Sequence, residues 1–520
     1  MSRAFLATVT TIVATAAAAA AAPVGGAAPV AARDFVAGLQ RPFTLAGGGT
    51  LPAVTGVAAS RAQIRPVAIA ALPDGGTIVA LARRPRPGAS NLVLLNADGR
   101  VEALPFGPVL AGALDVERSG NVVATAVGST QIFRIFPAER RVEVIAGKTR
   151  AAAGLPASAR KGALNAIAAL EDGTIVVTDE QTAYRVSPEG RFTESSPGEN
   201  GDPVGVAALA DGAFAVLLRQ TNELVRVAAD AKPVTLVKYD DEEGPALASA
   251  PDGGVLLLDG AGLRHVSGDG RVQTIFARGS AGPVPAFGTG DGAPIAGARF
   301  VPATTYAGTA ALAVAPDGAV LFATNETLRV IVGASTTRRL VALDQTGYMT
   351  LRDGRAKVLT TVAGSVRLTV TSSGTPIVSA PVALPAGGGE VTLPRIPSGV
   401  VRVELSLTDA AGARTVSRAA VDTRRTLPRR DAYEAIDSSL QGRGEGDDGA
   451  SSTSERGPCR RNAALRIDCR VLDVYTIYRT GPPNRSSECG GRIVARLRPD
   501  GIVLAEDDSC RPSDGDPTLP

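Results

Sequence analysis

The chain has 520 residues and a formal net charge of +3, with 54 Lys and Arg against 51 Asp and Glu. Because these charges are spread along the whole chain, they argue against a nucleic-acid-binding surface, which needs a concentrated basic face. Hydrophobic residues make up 44% of the sequence and charged residues 20%. That balance favours a packed protein over a disordered one, and the length suggests about three domains.

Residues 1–32 are predicted to be a secretory signal peptide. Arg3 precedes an apolar, Ala-rich stretch, and small residues continue to Ala32 before the first charged pair, Arg33 and Asp34. This order is typical of a cleaved export signal, with an uncleaved anchor as the alternative. No other stretch reaches the 18 uninterrupted apolar residues that a span needs. We therefore expect a secreted, extracellular or cell-envelope protein with no membrane span in the mature chain.

Residues 40–344 carry a repeated strand pattern. Six times, two apolar runs flank a tight turn that ends in Gly, at intervals of about 40 to 65 residues. Asp-Gly between apolar runs favours a tight hairpin whose central residues adopt positive φ. The spacing is typical of four-stranded propeller blades, so the sequence predicts a six-bladed β-propeller. The turns are Asp74-Gly75, Ser119-Gly120, Asp172-Gly173, Asp211-Gly212, Asp252-Gly253 and Asp317-Gly318.

Gly- and Ala-rich joints lead into several of these blades, at 44–72, 145–170 and 288–304. Together with the Pro-Asp-Gly hairpins they resemble the NHL-repeat propellers, although the second, third and fourth turns lack the Pro. The absence of Trp is unlike WD40 and kelch repeats. Small residues dominate the first strand of each blade, and we expect them to line the crowded propeller axis.

Three further segments follow the propeller. Residues 345–423 alternate apolar and polar side chains between Gly and Pro turns, which predicts an immunoglobulin-like or fibronectin-like β-sandwich. Residues 424–457 are charged and rich in Ser and Gly, as in a flexible linker. Residues 458–512 are predicted to form a small β-rich domain, and 513–520 a disordered tail. The expected fold class is all-β: a six-bladed propeller, a β-sandwich and a small disulfide-containing domain.

The cysteines all lie in the small C-terminal domain. An even number of Cys in a short segment of an exported protein predicts two disulfides, whose pairing the spacing leaves open. Neither a Cys-x-x-Cys pair nor a histidine accompanies them, which argues against zinc. The residues are Cys459, Cys469, Cys489 and Cys510.

The single histidine of the chain, His265, excludes mechanisms that need several imidazoles. It lies on a third strand, at a position that we align with a basic residue in four other blades. We interpret it as a blade-packing residue, because a side chain that replaces a recurring Arg has a buried stem and a polar tip. The aligned residues are Arg134, Arg185, Arg226 and Arg329.

A second set of polar residues precedes the first strands and is expected to converge at one channel mouth. Gluconolactonase-like propellers hold a divalent metal in this region, and Asn, Asp and Glu oxygens suit calcium. Each residue is equally suited to a turn, so no metal site and no catalytic residue is assigned. Nucleophile, phosphate-loop and paired-acid motifs are absent from the sequence. The candidates are Arg65, Asn165, Asp202 and Glu243.

The preferred hypothesis is a secreted, non-enzymatic binding or scaffold protein without a cofactor. Its propeller rim would engage a protein, peptide or glycan partner at the cell envelope, since repeat arrays use loops on one face. The alternative is a metal-assisted hydrolase or lactonase that uses calcium near Asn165, Asp202 and Glu243. A purely structural envelope spacer is the third interpretation.

Overall fold

A computed structural model describes the central and C-terminal parts of the chain. The predicted signal peptide (1–32), the tail (513–520), Glu243 and Cys510 lie outside the described residues. Those residues are 39–47, 51–82, 89–96, 99–107, 109–147, 163–198, 201–229, 231–239, 245–259, 261–277, 311–323, 327–333, 336, 338–344, 351–372, 376–423, 429, 433, 436, 450–463, 466–477, 485–498 and 501–507.

The N-terminal part of the described chain contributes three strands. Strand β1 (Leu39–Gly47) joins the last blade of the propeller. Strands β2 (Leu51–Pro52) and β3 (Ala62–Gln63) form a short parallel pair, with a 3₁₀ turn at Ala59–Arg61 between them.

Five four-stranded antiparallel sheets follow, each built from four consecutive strands. Their first strands lie side by side around a common axis. Blade 1 is β4 (Pro66–Ala71), β5 (Thr77–Leu81), β6 (Leu92–Leu95) and β7 (Val101–Ala103); blade 2 is β8 (Ala111–Val116), β9 (Val122–Ala126), β10 (Ile132–Phe136) and β11 (Arg141–Ala146); blade 3 is β12 (Ala166–Ala169), β13 (Ile175–Thr178), β14 (Ala183–Val186) and β15 (Phe192–Ser195); blade 4 is β16 (Pro203–Ala208), β17 (Phe214–Leu218), β18 (Glu223–Val227) and β19 (Val234–Lys238); blade 5 is β20 (Ala246–Ser249), β21 (Val255–Asp259), β22 (Gly262–Val266) and β23 (Val272–Ala277).

The sixth blade closes the ring. It combines β24 (Leu312–Val314), β25 (Val320–Ala323) and β26 (Thr327–Gly333) with the N-terminal strand β1, which pairs antiparallel with β26. Strand β24 contacts β4 of blade 1, so the ring of first strands is complete. Phe43 of β1 is buried in the apolar core shared by blades 6 and 1. The all-β fold class and the six-bladed propeller are confirmed.

The six tight turns share one backbone geometry. In blade 1 the Gly75 N–H donates to the Leu72 carbonyl at 3.1 Å, and the Leu72 N–H donates to the Gly76 carbonyl at 2.9 Å. The loop therefore has three residues, and only its Gly is left-handed: the six turn glycines have φ between 73° and 86°. This differs from the two-residue hairpin that Asp-Gly predicts. The Asp has another role, because its Oδ1 accepts the N–H two residues on, at 2.8 Å for Asp74.

A β-sandwich follows the propeller, and two sheets enclose its core. One consists of β27 (Val341–Leu343), β28 (Arg355–Thr360) and β32 (Gly389–Thr392); the other consists of β29 (Gly364–Thr371), β30 (Ile377–Val378), β31 (Val382–Leu384), β33 (Val400–Asp409) and β34 (Arg414–Asp422), and a 3₁₀ turn lies at Leu351–Asp353.

Strand β27 lies inside the range 40–344 that the sequence analysis gave to the propeller. Its side chains alternate between two cores: Val341 and Leu343 pack in the sandwich, while Leu340 and Ala342 pack against the propeller. Because successive side chains of a strand point to opposite faces, these residues serve both domains. The propeller and the sandwich therefore share residues 340–343 instead of meeting at a single boundary residue.

The last sheet contains β35 (Ala450–Ala463), β36 (Arg466–Ile477), β37 (Arg485–Arg498) and β38 (Gly501–Asp507). Strand β35 begins within the predicted linker 424–457, since pairing with β36 satisfies its backbone without an apolar face. Ile436 of the same segment is fully buried. Cys459 and Cys469 stand opposite each other on β35 and β36 and form a disulfide. Cys489 lies on β37.

Closure of the ring by β1 generates a stability prediction. Replacing Phe43 by Ala removes a buried ring from the joint between blades 6 and 1, and Phe→Ala changes in cores cost about 3 to 5 kcal/mol. We expect a loss of that size in the free energy of unfolding, measured by urea denaturation. The exposed Val234 provides the control, since Val234→Ala should change stability by less than about 0.5 kcal/mol. An unchanged urea midpoint for F43A would show that closure does not depend on this contact.

The strand register also predicts the disulfide pairing. Peptide mapping under non-reducing conditions should recover Cys459 joined to Cys469, because the two residues face each other across the ladder. Recovery of Cys459 joined to Cys489 instead would contradict the register of β35 on β36.

Candidate functional site

The propeller channel is divided in two by apolar side chains. Six branched residues, one from each first strand, line both of the cavities found along the axis, so they mark the boundary between them. We call them the apolar ring. Each lies six positions before the Gly of its blade's turn. The ring consists of Ile69, Leu114, Ile167, Val206, Leu247 and Leu312.

The two cavities differ strongly in size. The narrow cavity, where the first strands begin, has a volume of about 80 Å³. The wide cavity, where the first strands run into the hairpins, has a volume of about 890 Å³. Ligand pockets typically span about 300 to 1,000 Å³, so only the wide cavity has the size of a small-molecule site. The small residues predicted to line the axis lie on both sides of the apolar ring, but the ring itself consists of branched Ile, Leu and Val side chains.

The sequence-predicted ligand candidates lie at the narrow end. Asn165 is exposed and lines the narrow cavity. Arg65 is exposed, and its carbonyl accepts the Ala82 N–H. Asp202 is half-buried and pairs with Arg219 of its own blade, with 3.4 Å between Oδ2 and Nη1. A shared ligand set with Glu243 stays a prediction, and the described residues contain no group of three or more His, Cys, Asp or Glu that could hold a metal.

The wide cavity contains a carboxylate that the sequence analysis missed. Asp115 lies on β8, directly after the ring residue Leu114, and lines the cavity wall. Its pairing with Val123 of β9 defines its position in the blade. The residue at the same position is Ala in every other blade: Ala70, Ala168, Ala207, Ala248 and Ala313. An alignment of the six first strands would have shown this single departure.

Two backbone N–H groups hold the Asp115 carboxylate. Oδ2 accepts the N–H of Ala169 in blade 3 at 2.8 Å, and Oδ1 accepts the N–H of Val116 at 2.8 Å. In blade 4 the corresponding N–H, that of Ala208, donates instead to a hydroxyl of blade 5, Ser249 Oγ, at 2.9 Å. Burial raises the pKa of Asp115 to about 6, and the two N–H groups oppose that rise only partly.

The other acidic groups of the wide cavity lie in the hairpins around its mouth. Glu117 forms an ion pair with Arg134 at 2.7 Å, and Asp252 pairs with the His265 ring at 2.9 Å. Burial disfavours ionisation of Asp252, but the hydrogen bond and charge of His265 outweigh it, so the pKa of Asp252 is lowered. Glu171 is exposed at the rim.

The basic residues of the third strands brace these hairpins. His265 is buried against Asp252 of its own hairpin, and Arg226 forms the same kind of pair with Asp211. The interpretation of His265 as a packing residue agrees with this placement. The alignment with Arg329 is wrong, because the residue in that register position of blade 6 is Val330, and Arg329 pairs with Phe322 one position along.

Comparisons with known proteins find similarity in structure only. No protein-family model matches the chain, and no curated protein sequence matches it. A streptogramin B lyase structure shares 15% identity at a TM-score of 0.38, covering 56% of this chain and 96% of the other. A gluconolactonase from Xanthomonas campestris shares 14% identity at a TM-score of 0.40, covering 57% and 92%. An auxiliary nutrient binding protein from Bacteroides thetaiotaomicron shares 10% at 0.41, covering 56% and 76%. Such distant likeness assigns no residue role.

The raised pKa of Asp115 predicts an unusual dependence of stability on pH. The folded protein keeps this proton up to about pH 6 whereas the unfolded chain releases it near 3.8, so the free energy of unfolding should fall as pH rises between these values. The size is at most about 3 kcal/mol, less if channel water screens the charge. Urea denaturation from pH 4 to 7 should show this fall in the wild type and lose it in Asp115→Asn.

The matched control removes a charge from the rim of the same cavity. Glu171→Gln should retain the wild-type fall with pH, because Glu171 is exposed. If Asp115→Asn and the wild type show the same pH dependence, Asp115 is not the group that titrates.

Proposed function

We propose that this protein is an exported, non-enzymatic binding protein that receives part of a protein, peptide or glycan partner in the wide cavity of its propeller. The observation that carries the proposal is the cavity itself, with a volume of about 890 Å³ on the hairpin side. The apolar ring separates it from the narrow cavity, which makes it a pocket rather than an open pore.

Several features support binding at this face. The hairpins place acidic and basic groups around the mouth, and most of the first-strand residues beneath them have apolar side chains, with Asp115 and Ser249 as polar exceptions. Pockets of this composition use a few polar groups for orientation and apolar walls for affinity. The Asp or Ser side chain of each turn accepts a backbone N–H, and basic residues of the third strands pair with acidic residues in the hairpins of blades 2, 4 and 5. These contacts favour a mouth that is formed before a ligand arrives.

The remaining domains fit a role outside the cytoplasm. The Cys459–Cys469 disulfide favours an oxidising compartment, as does the predicted signal peptide 1–32. Among the described residues no helix is long and apolar enough to cross a membrane. As part of this proposal, the propeller is related to NHL-repeat propellers and the sandwich to immunoglobulin-like domains. The sandwich would act as a spacer for the propeller.

The sandwich is joined to the propeller by specific contacts. Glu404 of the sandwich pairs with Arg61 of the propeller at 3.3 Å and with Arg418 of its own sheet. Arg339 in the connection pairs with Asp409 at 3.2 Å. Together with the shared strand β27, these pairs favour a fixed orientation of the two domains.

The lactonase alternative has less support. Of its two described residues, Asn165 lines the narrow cavity and Asp202 is engaged by Arg219, while Glu243 lies outside the described residues. The volume of about 80 Å³ is below that of a typical substrate pocket. Calcium-dependent turnover of a lactone that falls in Asp202→Asn would favour this alternative instead.

A blocked cavity tests the binding proposal. Ala169 and Ala208 are half-buried and line the wide cavity, so the double variant A169F/A208F should fill part of it. In an array of peptides and glycans, ligands of the wild type should bind the double variant at least about tenfold more weakly, because their contact surface is excluded. Ala138 is exposed on the outside of blade 2, and A138F should bind as the wild type does. Equal binding by the blocked and control variants would show that the ligand lies elsewhere.

A further inference from the structure

We propose that the wide cavity binds a ligand in which a primary ammonium group is attached to an apolar segment, with Asp115 accepting the ammonium and the apolar ring contacting the apolar segment. The inference rests on the proposed function, because it names the ligand chemistry of the same cavity. Four observations lead to it.

The fold does not require a carboxylate at this position. Five blades place Ala at the position of Asp115, with the same strand pairing and an equally well-formed hairpin. Nor does this backbone N–H require a charged acceptor, since the corresponding N–H in blade 4, that of Ala208, donates to the neutral Ser249 hydroxyl of blade 5. The negative charge of Asp115 therefore exceeds what the propeller needs.

The carboxylate also has no cationic partner among the described residues. Its contacts are the N–H groups of Val116 and Ala169, whereas Glu117 and Asp252 at the mouth are paired with Arg134 and His265. An ionised carboxylate in apolar surroundings is unfavourable unless a cation compensates it. A ligand ammonium would supply that cation through a charge-assisted hydrogen bond.

An ammonium group can use the acceptor sites that remain on Asp115. Each oxygen already accepts one backbone N–H, which leaves one lone pair on each oxygen. An ammonium is a compact point donor that needs only one of them, whereas a guanidinium gains most when two parallel hydrogen bonds form.

The neighbourhood of Asp115 supplies the apolar contact. Leu114 of the apolar ring precedes it in the strand, and Ile167 of the ring lies on the adjacent strand β12. The other titratable groups that line the cavity are Glu117, Arg118, Glu171 and Asp252, and all belong to hairpins at the mouth. A ligand that reaches the ring therefore meets one carboxylate and apolar walls.

Binding of two matched probes tests the inference. Hexylammonium and hexan-1-ol have the same apolar chain, and the amine stays charged from pH 4.5 to 7.5 because alkylammonium groups titrate near pH 10. Calorimetry at pH 7.5 should show hexylammonium binding to the wild type at least about tenfold more tightly than to Asp115→Asn. Hexan-1-ol should bind both proteins equally. Glu194→Gln should bind the amine as the wild type does, because Glu194 is exposed on the outer strand β15 and does not line the cavity.

Proton release provides a readout that a merely structural role would not give. Near pH 6, where Asp115 is about half protonated, binding of hexylammonium should release a fraction of a proton, measured in buffers of different ionisation enthalpy. The release should vanish in D115N. Affinity of the wild type for the amine should also fall at least about fivefold from pH 7.5 to 4.5, while affinity for hexan-1-ol stays constant.

The outcomes separate the two proposals. If both probes bind the wild type equally and Asp115→Asn changes neither, the ammonium inference is overturned while the cavity remains a binding site. If neither probe binds the wild type at millimolar concentration, or if A169F/A208F binds hexylammonium as tightly as the wild type, the ammonium inference is also overturned. Both proposals fail only if the ligands found in the peptide and glycan array bind A169F/A208F as tightly as the wild type, because the cavity is then not the binding site. Circular dichroism and urea denaturation confirm that each variant is folded.

Discussion

Closure of the ring by the pairing of β1 with β26 is the constraint on which the rest of the structure depends. It completes blade 6 and brings β24 against β4, so that six equivalent strands surround one axis. Residues at one register position then meet at one level of the channel. The apolar ring follows from this geometry, because each blade places a branched residue six positions before its turn. A residue that differs in a single blade, such as Asp115 where the other blades have Ala, therefore lines the cavity that all six blades share.

The hairpins of the six blades form the mouth of the wide cavity, and side-chain contacts within them stabilise it. Each turn needs a left-handed Gly, and the side chain before that Gly accepts a backbone N–H. The remaining oxygen is then available to a basic residue of the third strand, as in the pair of Asp211 with Arg226. His265 pairs with Asp252 of its own hairpin as well. Gly254 is part of the same arrangement, since a Cβ there would lie 2.7 Å from the His265 ring. The single histidine of the chain, His265, therefore has a packing role in this hairpin.

The sequence predicts the blades well because their signals are local. Gly turns and apolar runs repeat with a regular period, and six sheets appear where they indicate. Pairings between distant residues are harder to predict from the sequence. The domain boundary is one case, because residues 340–343 alternate between the propeller core and the sandwich core. The register of Arg329 is another, because it depends on pairing with Phe322 of the neighbouring strand. The candidate residues at the narrow end are acids and amides near strand starts, a pattern that is also typical of metal sites. Sequence order alone could not show that the apolar ring places the larger cavity on the opposite side.

Asp115 was accessible in principle, since the Ala positions of the other blades align without the structure. What the alignment would not have shown is its environment. An apolar ring lies directly beside Asp115, two N–H groups but no cation among the described residues contact its carboxylate, and burial raises its pKa to about 6. A group that weakens the folded state when it ionises is seldom retained for packing, and perturbed carboxyl groups in cavities are characteristic of functional sites. The corresponding N–H of blade 4 is accepted by the uncharged Ser249 hydroxyl. The charge of Asp115 is therefore explained by what enters the cavity rather than by what holds the blades together.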